Sequence, residues 1–302
     1  MSTPYRAIGC RIALLGALAV AVSAFGPAVA VAQGADAQAA YSQALDLLQS
    51  GKSADALSVI DAAVGAGARD PSLYNLKGLA ASDLGRNQEA EESFRTVIRL
   101  APKSSMGYNN LGVLLSKLGR NREAADTFRE AQLRDPKNFT ALLGLGTSLA
   151  ALHEYVEAAN YLQRASDVRP GDFQAGYQWA FALREAQRPA AAQRVISRMA
   201  PPPEPELATK YYSLAGVVAE DLKEFGDATQ SYRQAYELNP NSYEIYFALA
   251  RANASWGGSN SGKNLPAPPQ NLSVAQNLAL GLLFVSSGAY QEAIPQLEAA
   301  LQ

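Results

Sequence analysis

One interval constrains this chain more than any other property: residues of the same type recur every 34 positions. Pro102, Pro136 and Pro170 keep that step, and so do Gly78, Gly112 and Gly146, with Ala180 next in register. Ala56, Ala90, Ala124, Ala158 and Ala192 form a second small-residue series, and Phe94, Phe128 and Leu162 a series of large ones. A period of this length signals an array of helical repeats. Each unit is then two antiparallel helices. A small residue at their crossing lets the backbones approach, and a large side chain fills the space beside it. The proline, lacking an amide hydrogen, ends the second helix. No unit buries its apolar faces alone, so stability has to come from stacked neighbours.

The stretch Tyr108-Asn109-Asn110-Leu111-Gly112, followed by Gly119, Ala124, Phe128, Ala131 and Pro136, closely resembles the tetratricopeptide repeat (TPR). The resemblance extends over nearly all of residues 37–302. It implies an all-α fold, a right-handed α-α superhelical solenoid of helix pairs, with the first helix of each pair lining a groove. On this register units begin near Ala37, Pro71, Ser105, Phe139, Phe173, Thr209, Tyr243 and Val274. The array is expected over residues 33–254, with the fifth unit irregular and the unit that starts at Tyr243 incomplete. In the fifth, the second helix around Pro189–Met199 runs into Pro201-Pro202-Pro203-Glu204-Pro205. Residues 255–272 carry Gly, Ser, Asn and Pro where a second helix belongs, and read as a long exposed loop. Residues 273–302 read as a last helix pair that stops before its expected proline.

Residues 1–32 read as a secretory signal. Arg6 and Arg11 precede an apolar run from Ile12 to Val22, and small residues follow, with cleavage expected before Gln33. The run is about half of the roughly 20 residues that a spanning helix needs. An uncleaved anchor is the alternative. The reading places the chain in a periplasm or outside the cell. Cys10, the one cysteine, lies in the part expected to be removed, leaving no thiol for a disulfide, a metal or nucleophilic attack. A formal net charge of −2 gives no global attraction for nucleic acid or an anionic membrane.

Residues that could carry chemistry are scarce. His153, the only histidine, falls in a turn between repeat helices, with no convergent partner for acid–base or metal work. No phosphate-binding loop is spelled out: Gly257–Lys263 imitates only the composition of one. The expectation is a non-enzymatic chain with no cofactor and no metal, which holds a protein or peptide partner. Self-association through the uncapped last pair is a further expectation, and a targeting module for a catalytic domain beyond Gln302 is the alternative.

The family resemblance implies which residues would face the groove. In the early units these include Asn109 and Asn110. In the later ones they are Tyr177, Gln178, Phe181, Arg184, Lys210, Phe247 and Arg251. Aromatics with Arg are enriched at binding hot spots, and the cations among them favour an acidic peptide. The competing reading is that Tyr177 and Phe181 pack between neighbouring units. Two known uses of the fold are not spelled out. The chaperone clamp lacks its Lys and Arg, and an asparagine ladder is interrupted by Leu76, Gly144 and Leu214.

Overall fold

The structure, a computed structural model, describes residues 26–257 and 265–301. Most of the leader expected over residues 1–32 lies outside the described residues, and the expected junction at Gln33 falls within the first helix. Fifteen helices and no strand occur among the described residues. In chain order they are α1 (Gly26–Gln49), α2 (Ser53–Gly65), α3 (Pro71–Asp83), α4 (Asn87–Leu100) and α5 (Met106–Lys117). Then come α6 (Asn121–Arg134), α7 (Phe139–Ala151), α8 (Tyr155–Val168), α9 (Phe173–Glu185) and α10 (Pro189–Ile196). The last are α11 (Pro205–Asp221), α12 (Phe225–Leu238), α13 (Tyr243–Gly257), α14 (Val274–Ser286) and α15 (Tyr290–Ala299). No helix among the described residues is long and apolar enough to cross a membrane.

The helices fall into two compact units. Described residues up to Arg120, with Leu133–Asp135, form the first, and Asn121–Gln132 with Pro136 onward form the second. In the first, α1 packs on α2 and α3 on α4, around a core holding Ala44, Ile60, Leu73 and Leu76. In the second, α7 packs on α8, α9 on α10, α11 on α12 and α14 on α15.

The small residues sit where the period places them, directly under a large side chain. A Cβ on Gly78 would lie 2.4 Å from Phe94 Cε1, and one on Gly216 would lie 2.7 Å from Tyr232 Cδ1. On Gly146 it would meet Leu162 Cγ at 2.5 Å, and on Gly281 Leu297 Cδ2 at 2.5 Å. No real methyl fits at such distances, so helix pairs this close require glycine. Gly144 is a second point of the same kind, since its face is covered by the ring of Phe128 from the preceding repeat.

Two further series carry the 34-residue step. At helix starts, Asp70, Asn138 and Asp172 accept from the backbone N–H of Ser72, Ala141 and Ala175, and Ser104 from that of Met106. Each cap satisfies one of the donors that a helix start leaves open. Within each pair the turn reverses through a left-handed residue: Gly51, Gly85, Gly119, His153 and Gln187, then Lys223 and Gly288. The hydrogen bonds are the same each time. His153 N–H donates to Ala150 O and Glu154 N–H to Leu149 O, which closes the helix C-terminus. His153 is thus a turn residue whose Nδ1 sits 2.7 Å from the Tyr155 hydroxyl.

The irregular fifth pair has a clear cause. Helix α10 is eight residues long, against 14 for α8 and α12. Prolines 201–203 fall where its last turn would be, and proline both withholds a donor and disfavours helix in the residue before it. The broken end is partly repaired from α11: the Tyr211 hydroxyl lies 3.3 Å from Ile196 O and 3.4 Å from Met199 O. Helix α11 itself starts at Pro205, a turn earlier than the expected Thr209.

The segment expected as an exposed loop differs in its second half. Pro269 is buried, Leu265 and Leu272 pack on the core, and the Tyr236 hydroxyl donates to Ala267 O at 2.7 Å. That core runs without a break from Tyr232 and Tyr236 through Tyr246 and Leu249 to Leu280 and Phe284. The last helix pair therefore shares its interior with α12 and α13. Its outer side leaves Leu278, Leu282, Val285, Tyr290 and Ile294 exposed.

The left-handed turns yield a stability prediction. A side chain in this conformation costs about 1–2 kcal/mol that glycine avoids. Gln187→Gly and Lys223→Gly should each raise stability by about 1 kcal/mol, roughly 2–4 °C in Tm for a chain of this size. Gly119→Ala should lower it by a similar amount. Thermal melts followed by circular dichroism decide. Unchanged or lowered Tm in both glycine variants would show that these turns are not strained.

Candidate partner-binding surface

In the first unit, α3 and α5 lie side by side, and Asn110 Nδ2 donates to Asn75 Oδ1 at 2.5 Å. These two asparagines satisfy each other across neighbouring repeats. Asn109 Oδ1 is buried with no hydrogen-bond partner among the described residues.

In the second unit the expected face is built by α9, α11 and α13. On α9, Tyr177, Phe181 and Arg184 share one side because they stand four and three residues apart. Trp179 and Leu183 take the opposite side. Tyr177 is half-buried, its ring 5.7 Å from that of Phe173, and burial pushes its hydroxyl above the usual tyrosine range. The rings of Phe181 and Tyr155 meet in a T-shaped arrangement with centroids 6.4 Å apart, and Tyr155 in turn touches His153. Phe247 lies beside Tyr243 at 5.6 Å and keeps part of its surface. Gln178 is half-buried and Lys210 is exposed at the start of α11.

The two arginines are not free. Arg184 Nε donates to Asp221 Oδ2 at 2.7 Å and Nη1 to Glu185 at 2.7 Å. Arg251 holds Glu220 with two bonds, of 3.0 and 2.7 Å, and Glu220 also accepts from the Tyr232 hydroxyl at 2.7 Å. The hydrogen bond to Glu220 is the main reason why the Arg251 guanidinium holds its proton more tightly than usual. Burial first, then Glu220, keeps the Tyr232 hydroxyl neutral far above the usual tyrosine range.

Glu220 and Asp221 are adjacent on α11, about 100° apart around the helix. One carboxylate therefore reaches α13 and the other α9, tying three first helices together. The sequence predicts the arginines, and not this acidic pair, to be ligand-facing. The structure joins them to each other, so the positive charge this face offers a partner reduces to Lys210. What it retains is aromatic: Tyr177, Phe181 and Phe247. Pairing across repeats could have been suspected from the spacing of 37 residues between Arg184 and Asp221 and 31 between Arg251 and Glu220. Both intervals bring neighbouring first helices together in an array with this period.

Comparison with known proteins agrees with this architecture. Models of the tetratricopeptide repeat match residues 41–105, 109–173 and 209–242, together more than half of the chain. No curated protein sequence matches the chain. Among solved structures, the C-terminal part of a TPR repeat-containing protein from Cytophaga hutchinsonii superposes with a TM-score of 0.61 at 16% identity. That match covers 85% of this chain and 99% of the other. PilW, described as a widely conserved type IV pilus biogenesis factor, gives 0.57 at 21% identity, over 72% and 98% of the two chains. YrrB, described as a TPR protein with an unusual peptide-binding site, gives 0.56 at 20% identity, over 63% and 96%. At these identities the likeness is one of fold. The repeat models, the helix pairs and the glycine crossings agree, and the chain belongs to the tetratricopeptide repeat family.

Proposed function

We propose that the protein is a non-enzymatic interaction scaffold or assembly factor of the cell envelope, exported by its N-terminal segment and working in the periplasm or outside the cell. TPR folds are generally non-catalytic interaction modules. The observation that carries the reading is the aromatic face of α9 and α13. Tyr177, Phe181 and Phe247 stay partly accessible on first helices whose polar groups are already tied to one another. Such a face is rigid before a partner arrives, so little ordering cost falls on binding. Partly exposed aromatics are the residues that most often dominate binding energy. With its arginines neutralised, this face suits an apolar or aromatic peptide better than an acidic one. The apolar run near the N-terminus supports export, and PilW supplies a precedent for envelope assembly on this fold.

A second reading, self-association, is favoured by the exposed apolar row Leu278, Leu282, Val285, Tyr290 and Ile294 at the last helix pair. A single monomeric species in sedimentation velocity, unchanged with concentration, would dismiss it.

The test of the main reading is capture from cell-envelope extract with immobilised protein, alongside Tyr177→Ala/Phe181→Ala/Phe247→Ala. An envelope protein retained by the wild type should be lost from the variant, a fall in affinity of at least tenfold. Arg251→Ala alone should leave capture largely intact and lower stability by no more than about 1 kcal/mol, since its guanidinium is half exposed and the pair is screened. Equal capture by wild type and triple variant would rule out this face.

A further inference from the structure

The shortened helix of the fifth pair opens a site on the other side of α9. Where α10 stops at Ile196, two adjoining cavities of about 160 and 590 Å³ form against α8, sharing Gln163, Trp179, Val195 and Arg198. The smaller is lined by Arg188, Arg194 and Arg198, together with Asn160, Gln163 and Trp179. It contains no acidic residue. Among the described residues none of these three arginines is ion-paired. Elsewhere Arg95, Arg120, Arg122, Arg129, Arg184 and Arg251 each hold a carboxylate, while Arg164 and Arg169 lie over the rings of Tyr161 and Phe139.

Helix geometry separates this site from the aromatic face. Trp179 and Leu183 project from α9 about 200° around the helix from Tyr177 and Phe181. The arginines come from α10 and its ends, on the second-helix side. In a regular pair the last turn of the second helix would cover Trp179. Here Met199 reaches back only as far as Gly176, with Sδ 2.9 Å from where a Cβ would be. The tryptophan keeps part of its surface open to the cavity.

From this arrangement we infer that the cleft between α8 and α10 is a second binding site, for a short acidic segment of a partner protein. Guanidinium forks match carboxylates in bidentate geometry, and three unpaired ones over one opening call for several negative charges. Trp179 offers an apolar floor for the stem of a side chain, and Asn160 and Gln163 can pair with peptide groups. The larger cavity carries Asp167 and Asp172, of which Asp172 is engaged as the α9 cap. These carboxylates repel a uniformly charged polymer such as nucleic acid. They accept a peptide whose charges are grouped over the smaller opening and whose neutral part lies over the larger.

The test uses the full chain with Trp256→Phe, which leaves Trp179 as the only tryptophan. The probe is the blocked peptide acetyl-Glu-Glu-Glu-Ala-Ala-Ala-amide, titrated at low salt while Trp179 emission is followed. A saturable change is expected. It should weaken at least tenfold in Arg194→Glu/Arg198→Glu, weaken less in Arg194→Gln/Arg198→Gln, and fall as salt rises. The lysine counterpart should give no change, and Tyr177→Ala/Phe181→Ala should leave binding intact, separating this site from the aromatic face. Both arginines are exposed, so the variants should keep the wild-type circular dichroism. Absence of a saturable change, equal affinity in the charge-reversal variant, or tighter binding of glutarate or an oligothymidylate would overturn the proposal.

Discussion

The structure depends on how closely the two helices of a repeat approach one another. That approach is set by one small residue lying under one large side chain, as Gly78 lies under Phe94 and Gly216 under Tyr232. Interiors are close-packed, so a methyl group added at such a crossing has nowhere to go. Once the crossing is fixed, the remaining surfaces are determined. One side of each first helix faces its partner, its flanks face the neighbouring repeats, and a narrow strip is left over. Tyr177, Phe181 and Phe247 occupy that strip.

Cohesion between repeats is mixed in kind. Apolar packing supplies most of it, as in the continuous core from Tyr232 to Phe284. Polar links then fix the relative placement of neighbouring helices: Asn75 with Asn110 in the first unit, and Glu220 and Asp221 with Arg251 and Arg184 in the second. Exposed pairs of this sort contribute little to stability, since solvent screens them. Their effect is on specificity, because they consume charges that a partner would otherwise meet. The shortening of the second helix α10 follows from prolines arriving a few residues early, and it is also where cations without a carboxylate partner collect around an open cavity.

Much of this was legible in the sequence because the period is carried by residues with few substitutes. Glycine and alanine at the crossing, an aromatic or leucine opposite, and proline two residues past a helix end are each dictated by backbone chemistry. The left-handed turn series was harder to see, since His153, Gln187 and Lys223 stand where glycine would advertise the conformation. The caps at Asp70, Ser104, Asn138 and Asp172 keep the same step but share no single residue type. The fate of Arg184 and Arg251 could not be read from pattern alone. Whether an arginine meets a solvent-facing ligand or a carboxylate on the next repeat depends on side-chain direction, which a linear spacing only constrains. The same holds for residues 265–272, whose composition reads as loop but whose leucines find core to cover.

A double-mutant cycle between Gly78 and Phe94 tests the close-crossing account most directly. Gly78→Ala alone should destabilise by about 1–3 kcal/mol through overpacking, even though alanine is the better helix former by about 1 kcal/mol. In a Phe94→Leu background, where the ring no longer fills the space, the same change should cost much less, giving a coupling on the order of 1 kcal/mol or more. A stabilising effect of Gly78→Ala in the wild-type background, or strict additivity of the two changes, would contradict the account.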